Sequence, residues 1–282
     1  MENCCTEKKP MVSIITPNYN CGNFIALTIE SVIAQTFTDW EMLIQDDCST
    51  DNSYEIALEY AKKDTRIKVF RNEKNSGAAI TRNNAIEIAQ GKYLAFLDSD
   101  DIWFPEKLEK QLEFMQKNNC DFVFSEYEQI DEKNNSLGKR VTTTKKLTYT
   151  KLLMHGWPGC LTVMYDQEKS GKIYTPDTKK NNDRALFLKV LKVLDNACGM
   201  KESLALYRIR KSSISRNKWK MIKPYIRVIN EFEGKPLIFA WFCVFTHIII
   251  KKLFKEKKVP VQKFGFLETL SKNSTYFQEE FQ

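Results

Sequence analysis

Between Met11 and Tyr127, short apolar runs alternate with stretches of helical period, and this alternation constrains the fold more than any other feature of the chain. Met11–Thr16, Trp40–Gln45, Ile67–Phe70, Tyr93–Leu97 and Asp121–Tyr127 read as strands. Phe24–Gln35, Tyr54–Lys63, Ala78–Gln90 and Pro105–Asn118 read as helices, the third closed by Gly91 at its C-cap and the fourth opened by Pro105. Strands joined by helices of this length predict an α/β fold with a mostly parallel sheet, right-handed crossovers and helices on both faces. A further amphipathic helix, Asp183–Leu194, and a strand-like Leu204–Ile209 follow a polar, Lys- and Thr-rich connector at 131–150. The alternation stops beyond Arg216. The expected division is therefore a loose N-terminus over 1–10, a body over 11–216 and a helical, basic tail over 217–282.

In such a sheet ligands bind beyond the carboxyl ends of the strands, so the polar residues after each run carry the functional reading. Pro17-Asn18-Tyr19-Asn20 follow the first run and Asp46-Asp47-Cys48-Ser49-Thr50-Asp51 the second. Asn72 to Gly77 follow the third, and Asp98-Ser99-Asp100-Asp101 the fourth. In this last cluster the crowded carboxylates favour protonation unless a cation is present. A carboxylate with a diphosphate makes an all-oxygen site suited to Mg²⁺ or Mn²⁺. Taken alone, the tetrapeptide also reads as a solvated turn in which Asp101 caps the next helix. An acid after the second run can accept from a ribose hydroxyl or a base N–H, while Ser49 or Asp51 N-caps the helix that follows. Tyr19 offers a ring to stack on a base or to pack on the surface. Asn75-Ser76-Gly77, ahead of a helix containing Arg82, offers backbone N–H groups and a guanidinium to a phosphate. Neither G-x-G-x-x-G nor G-x-x-x-x-G-K-[ST] occurs.

Four segments, T-P-N-Y-N, D-D-C-S-T-D, N-S-G-A-A-I-T-R-N-N-A and F-L-D-S-D-D, resemble in order the signature of family 2 inverting glycosyltransferases with the GT-A fold. The resemblance covers residues 11 to about 215 and implies a nucleotide-diphospho-sugar donor, usually UDP-linked. It implies Pro17 and Tyr19 flanking the base, Asp47 on the base edge and Arg82 on the donor. It implies Asp98 on the ribose or sugar and Asp100 on a metal, Mn²⁺ or Mg²⁺. It also implies an acidic catalytic base opening a helix. Asp183 takes that position in N-D-R-A-L-F-L-K, with Asn182 where the family more often has Glu. A helix N-cap fits the position of Asp183 equally well. The family often ends its catalytic domain with Tyr-Arg-x-His-x-x-Ser-x-Ser, whereas this chain reads Tyr207-Arg208-Ile209-Arg210-Lys211-Ser212-Ser213-Ile214-Ser215. Arg210 has no free lone pair for a metal but can pair with the diphosphate. The only histidines, His155 and His247, lie in no matched segment and are expected to be structural or on the surface.

The reaction this implies is transfer of a sugar, with inversion, from a UDP-sugar to a hydroxyl of a saccharide acceptor. That acceptor would be lipid-linked at the cytoplasmic face of the membrane, as in surface polysaccharide assembly of the O-antigen or capsule type. A sugar nucleotidyltransferase shares the layered sheet but usually opens with a Gly-rich loop and a basic residue, which T-P-N-Y-N is not. A non-catalytic membrane-surface binder that keeps the fold has no need of acids at 98, 100 and 183.

Composition adds the compartment. With 282 residues and 43% hydrophobic content, the chain can bury a core without disulfides or metal. The net charge of +7 is uneven: residues 201–263 hold 16 Lys/Arg against 4 Asp/Glu, and residues 1–200 hold 26 against 29. Leu237–Ile250 is apolar apart from Thr246 and His247, and Lys251, Lys252, Lys255, Lys257 and Lys258 follow. Its 14 residues reach about 21 Å as a helix, short of the ~30 Å hydrocarbon core. The segment reads as an interfacial helix on an anionic leaflet, or as a core helix flanked by solvated lysines. The interleaved aromatic and basic pattern of a single-strand nucleic-acid binder is missing. The eight cysteines are scattered without zinc spacing, and no apolar secretory segment opens the chain. Reduced thiols in a cytoplasmic protein, peripheral on the inner face of the membrane, are expected.

Overall fold

The computed structural model describes residues 8–155, 158–178, 180–210, 222–253, 257–261 and 263–273. Strands β1 (Val12–Asn18), β2 (Trp40–Asp46), β3 (Ile67–Arg71) and β4 (Tyr93–Phe96) alternate with helices α1 (Ile25–Ile33), α2 (Ser53–Lys63) and α3 (Ala78–Ile88). The strands lie parallel, as the alternation predicts, and their order is β3-β2-β1-β4. Their period of two divides the core between the faces. Ile14, Met42 and Ile44 join one apolar cluster, while Ile15 and Leu43 join the other.

Beyond β4 the sheet becomes mixed. The next elements are β5 (Ile102–Trp103), α4 (Lys107–Asn118), β6 (Phe122–Ile130), β7 (Ser136–Val141) and β8 (Lys146–Leu147). Then come α5 (Tyr149–His155), β9 (Met164–Asp166), α6 (Gln167–Ser170), α7 (Asn182–Val193) and β10 (Ala197–Arg208). Strand β9 runs antiparallel between β4 and β6, and β7 pairs antiparallel with β6. Strand β10 runs parallel to β6 and antiparallel to β5 and β8. The expected connector at 131–150 thus holds two strands. The link from β6 to β7 is a tight turn pinned by Asp131, whose Oδ1 accepts from Lys133 N and Asn135 N, and it is too short for a helical crossover.

Gly91 serves a purpose other than capping. Helix α3 ends at Ala89, and a Cβ at Gly91 would lie 2.5 Å from Ser13 N, so glycine permits the close approach to β1. Thiol chemistry also differs from expectation: Cys120 and Cys198 form a disulfide, while Cys21, Cys48, Cys160 and Cys243 are free. The parallel register of β6 and β10 sets Val123 opposite Cys198, which brings two cysteines distant in sequence to neighbouring strand starts.

The boundary expected near residue 216 lies outside the described residues. Past it come α8 (Ile222–Arg227), a π-helical turn at Val228–Phe232, α9 (Leu237–Leu253), β11 (Lys257–Lys258) and α10 (Gly265–Asn273). This segment meets the body in three places: β11 pairs antiparallel with β7, and two apolar clusters take in the helices. Tyr225, Val228, Ile229, Ala240, Cys243 and Val244 belong to the cluster of Phe96, Phe122 and Phe187. Phe264, Leu267 and Leu270 pack with Ile102, Ile130 and Leu206. The His247 ring sits 5.6 Å from that of Tyr225, a structural role, while the His155 side chain lies outside the described atoms. No described helix is long and apolar enough to cross a membrane.

Candidate active site

The carboxyl ends of β1, β2 and β4 form one polar rim. Pro17 and Asn18 in β1 face Gln45 and Asp46 in β2. Asn18 Nδ2 donates to Asp46 Oδ1 (2.8 Å) and Ser53 Oγ (3.0 Å), and Ser49 N donates to Asp46 Oδ2 (2.9 Å). Cys48 takes a φ of +59°, which turns the chain sharply off the strand. Asp51 accepts from Ser53 N (3.0 Å) at the start of α2 and from Gly22 N (2.8 Å) across the rim. Asp47 is buried and filled from within: its Oδ1 accepts from Ser76 N (2.7 Å) and Asn72 Nδ2 (2.8 Å), its Oδ2 from Gly77 N (2.8 Å). Two N–H groups of the loop ahead of α3 therefore point at Asp47. Tyr19, 48% exposed, stands on the open edge of the rim.

The acidic turn after β4 resolves its charge conflict with arginines and burial. Asp98 Oδ1 accepts from Arg82 Nη2 (3.1 Å), and Asp100 Oδ2 accepts from Arg210 Nη1 (3.1 Å). Arg208 Nε donates to the Asp100 carbonyl (2.7 Å), and Arg208 N donates to Asp101 Oδ1 (2.9 Å). Burial, then the Asp98 charge, raises the Asp100 carboxyl above its ordinary value against the pull of Arg210. Burial, then Asp100 and Asp98, pushes Asp101 well above it. Asp101 is thus held inside rather than capping α4.

Arg82, only 3% exposed, is a strut. Its Nη2 holds Asp98 and its Nη1 donates to Asn182 Oδ1 (3.0 Å) on α7, a tie between residues 100 apart in sequence. Asn182 Oδ1 also accepts from Asp183 N (2.7 Å), and Asp183 Oδ1 accepts from Arg184 N (2.8 Å). Burial raises the Asp183 carboxyl, Arg82 opposing and Asp98 reinforcing. The buried Cys160 thiol also faces this group and is itself pushed up by burial. Arg82, Asp98, Asn182 and Asp183 therefore form one assembly, while Asp100, Arg208 and Arg210 form a second on the other flank of the turn. An open cavity of about 350 Å³, lined by Asn23, Phe24, Glu132 and Arg210, lies beside the second assembly. Sequence reasoning missed the bridging role of Asn182. Its only signal was the departure from Glu beside Asp183.

No three acidic, His or Cys groups converge on a metal among the described residues. Asp100 and Asp98, partly exposed carboxylates on the rim, fit the one- or two-carboxylate share of an Mg²⁺ or Mn²⁺ site whose other ligands are diphosphate oxygens and water.

The family model for Glycosyl transferase family 2 matches residues 13–172, more than half of the chain. The chain belongs to glycosyl transferase family 2. As a family 2 glycosyltransferase it is similar to TuaG of Bacillus subtilis (strain 168), a putative teichuronic acid biosynthesis glycosyltransferase. The two are 46% identical over 238 residues, 84% of this chain and 94% of the relative. It is 41% identical over 245 residues to WfgD of Escherichia coli, a UDP-Glc:alpha-D-GlcNAc-diphosphoundecaprenol beta-1,3-glucosyltransferase, covering 85% of this chain and 93% of the relative. Residues 1–349 of S. aureus TarS, crystallised with UDP-GlcNAc, superimpose with a TM-score of 0.66 at 20% identity, over 88% of this chain and 74% of that one. The GT-A fold is therefore the one present.

Proposed function

We propose that this family 2 glycosyltransferase moves a sugar from a UDP-sugar, with inversion, to a hydroxyl of a lipid-linked saccharide in cell-surface polysaccharide biosynthesis. The observation that carries the reading is the Asp183 carboxylate, set on the first turn of α7 beside the Arg82–Asp98 strut and raised above its ordinary value by burial. In the proposed reaction Asp183 takes the proton of the acceptor hydroxyl, whose oxygen bonds the anomeric carbon as the bond to UDP breaks on the opposite face. The charge left on UDP falls to Arg210 beside Asp100. Asp100 would hold a divalent ion, which would supply further charge neutralisation, and Asp98 contacts the ribose or sugar of the donor. Tyr19 and Pro17 flank the base, and Asp47 reaches its edge by exchanging a loop N–H for the base N–H. The name of WfgD, with a UDP-linked donor and a diphosphoundecaprenol acceptor, supports the substrate classes.

A peripheral place on the inner membrane face is part of the proposal. Leu237, Ile238, Trp241, Phe242, Phe245, Ile248 and Ile249 are exposed along one stripe of α9, spaced at i, i+1, i+4, i+5, i+8, i+11 and i+12. Exposed lysines at 257 and 258 follow it. An apolar stripe ending in basic residues suits an anionic leaflet. The N-cap of α7 is Asn181, not Asp183, so the test of the reaction is Asp183→Asn, which preserves size and an oxygen to accept from Arg184 N. Turnover with UDP-sugar and acceptor should fall by about 10²–10⁴-fold with UDP affinity unchanged. Loss of UDP binding in step with activity would assign Asp183 to the donor instead.

A further inference from the structure

The residue after Asp183 is a fully buried arginine. Arg184 Nη2 donates to Leu152 O (2.6 Å), Leu153 O (2.7 Å) and Tyr225 Oη (2.8 Å), and its guanidinium carbon lies 3.7 Å from the Tyr225 ring centroid. Tyr225 Oη in turn donates to Leu153 O (2.6 Å), with Cys243 O of α9 at 3.3 Å. Thr246 of α9 adds a bond to Met154 O (3.1 Å), so α9 is fastened to the same end of α5. Residues two apart on a helix point about 200° apart. Asn182 and Arg184 therefore leave the first turn of α7 in opposite directions. One is tied to Arg82 and Asp98 on the donor side, the other to α5, Tyr225 and α9, with Asp183 between them.

We infer that Arg184 is a positioning residue for Asp183, and that Tyr225 with the α9 backbone makes the C-terminal segment a working part of the acceptor side of the active site. The inference rests on the proposed role of Asp183 as base. A helix turn pinned on one side can still rotate about its axis, whereas ties on opposite sides fix the direction of the carboxylate between them. The second tie comes from the segment that carries the exposed apolar stripe. The surface proposed to meet the lipid-linked acceptor and the group proposed to deprotonate it are thus joined through one buried guanidinium. The charged groups facing Asp183 are Arg82, Asp98 and Arg184, with the Cys160 thiol. Arg184 contributes a positive charge that favours the ionised carboxylate.

The experiment compares the full-length chain with Tyr225→Phe, Arg184→Gln and Arg184→Lys, measuring kcat against pH, UDP affinity and melting temperature. Tyr225→Phe keeps the ring and removes the hydroxyl that accepts from Arg184 and donates to Leu153 O, and kcat should fall about tenfold. Arg184→Gln should cost about a hundredfold in kcat, the scale of a misplaced catalytic group. It should also move the acid limb of the profile to higher pH, because a cation that favours the ionised Asp183 is gone. Arg184→Lys should return the limb toward its wild-type position, and UDP affinity should hold throughout. Wild-type kcat in Tyr225→Phe overturns the inference by itself, including where Arg184→Gln fails to fold. So does an unmoved acid limb in a folded Arg184→Gln, or a fall in UDP affinity parallel to kcat. No transfer by the wild-type chain overturns the proposed reaction and the inference together. Transfer by the wild type with unimpaired variants overturns the inference alone.

Discussion

Truncation after Arg216 would remove α8 to α10, and the packing of that segment sets what should follow. Val228, Ile229 and Val244 are buried against the cluster of Phe187 and Leu188, and Phe264, Leu267 and Leu270 against Ile102, Ile130 and Leu206. At about 1.5–3 kcal/mol for each buried side chain, these six contribute roughly 9–18 kcal/mol. Deletion also removes the conformational entropy that ordering the tail costs, so only the surface uncovered on the body counts against the remainder. With half of each contact on either side, that is about 5–9 kcal/mol, comparable with the whole stability of a domain at about 5–15 kcal/mol. Arg184 would lose both the hydroxyl and the ring of Tyr225 as well. The truncated chain should aggregate, or remain soluble with a melting temperature roughly 10–35 °C lower, given about 2–4 °C per kcal/mol at this size. Size-exclusion chromatography, dye binding to exposed apolar surface and thermal melts would measure it. A monomeric truncation that melts cooperatively within a few degrees of the full chain would refute this reasoning and make residues 11–216 a self-sufficient domain.

Chelator should abolish transfer, Mn²⁺ or Mg²⁺ should restore it, and Asp100→Asn should lose activity without loss of fold. Full turnover in chelator would show that Arg208 and Arg210 suffice. Burial holds the Lys107 ammonium well below its ordinary 10.5, with Gln111 Oε1 at 2.6 Å and the Trp103 ring as neighbours. Between the lowered folded value and the ordinary unfolded one the unfolded chain binds more protons than the folded chain, so stability rises with pH across that window. Lys107→Met should accordingly melt higher than wild type at pH 7, with the gain shrinking toward pH 10, and a pH-independent difference would count against it. Anionic vesicles should bind the full-length chain and release part of it as salt rises, because charge is screened while apolar burial is not. Phe245→Ser on the exposed stripe should weaken that binding with no change in melting temperature.

How far the sequence could be read depended on the range of the interactions. Strands β1 to β4 were legible because each is an apolar run closed by polar residues, a pattern contained within a dozen positions. Strand β7 was not, because Ser136–Val141 carries Gly138, Lys139 and Arg140 in place of an apolar run, and its partner β11 comes from a distant part of the chain. The acidic clusters after β2 and β4 could be located from the ends of local elements, and Asp47 and Asp183 were singled out by the family resemblance, but their partners could not be read from either. Asp47 is filled by Ser76 and Gly77, and Arg82 reaches Asn182 across 100 positions. Those bonds exist only once β2, α3 and α7 have assembled, and no local pattern encodes them. The Cys120–Cys198 disulfide has the same character, since strand register and not cysteine spacing brings the two together.

Helix α9 shows how structure separates readings that composition leaves joined. Its sequence is apolar nearly all round, which suits a core helix and an interfacial helix equally. In the fold the face turned inward carries the buried Ala240, Cys243 and Val244, flanked by the partly buried Phe239 and His247, while the face turned outward carries Leu237, Ile238, Trp241, Phe242, Phe245, Ile248 and Ile249. Selection for a core alone favours the opposite assignment, with large apolar side chains inside and small or polar ones in water. Small residues on the inner face let α9 approach closely enough for the Cys243 carbonyl to meet Tyr225, and through it Arg184. Large residues on the outer face form a stripe of exposed apolar side chains, and large exposed apolar patches mark interaction sites. The two faces thus have separate roles in the fold: the inner one holds the helix that carries Asp183, and the outer one presents an exposed apolar stripe.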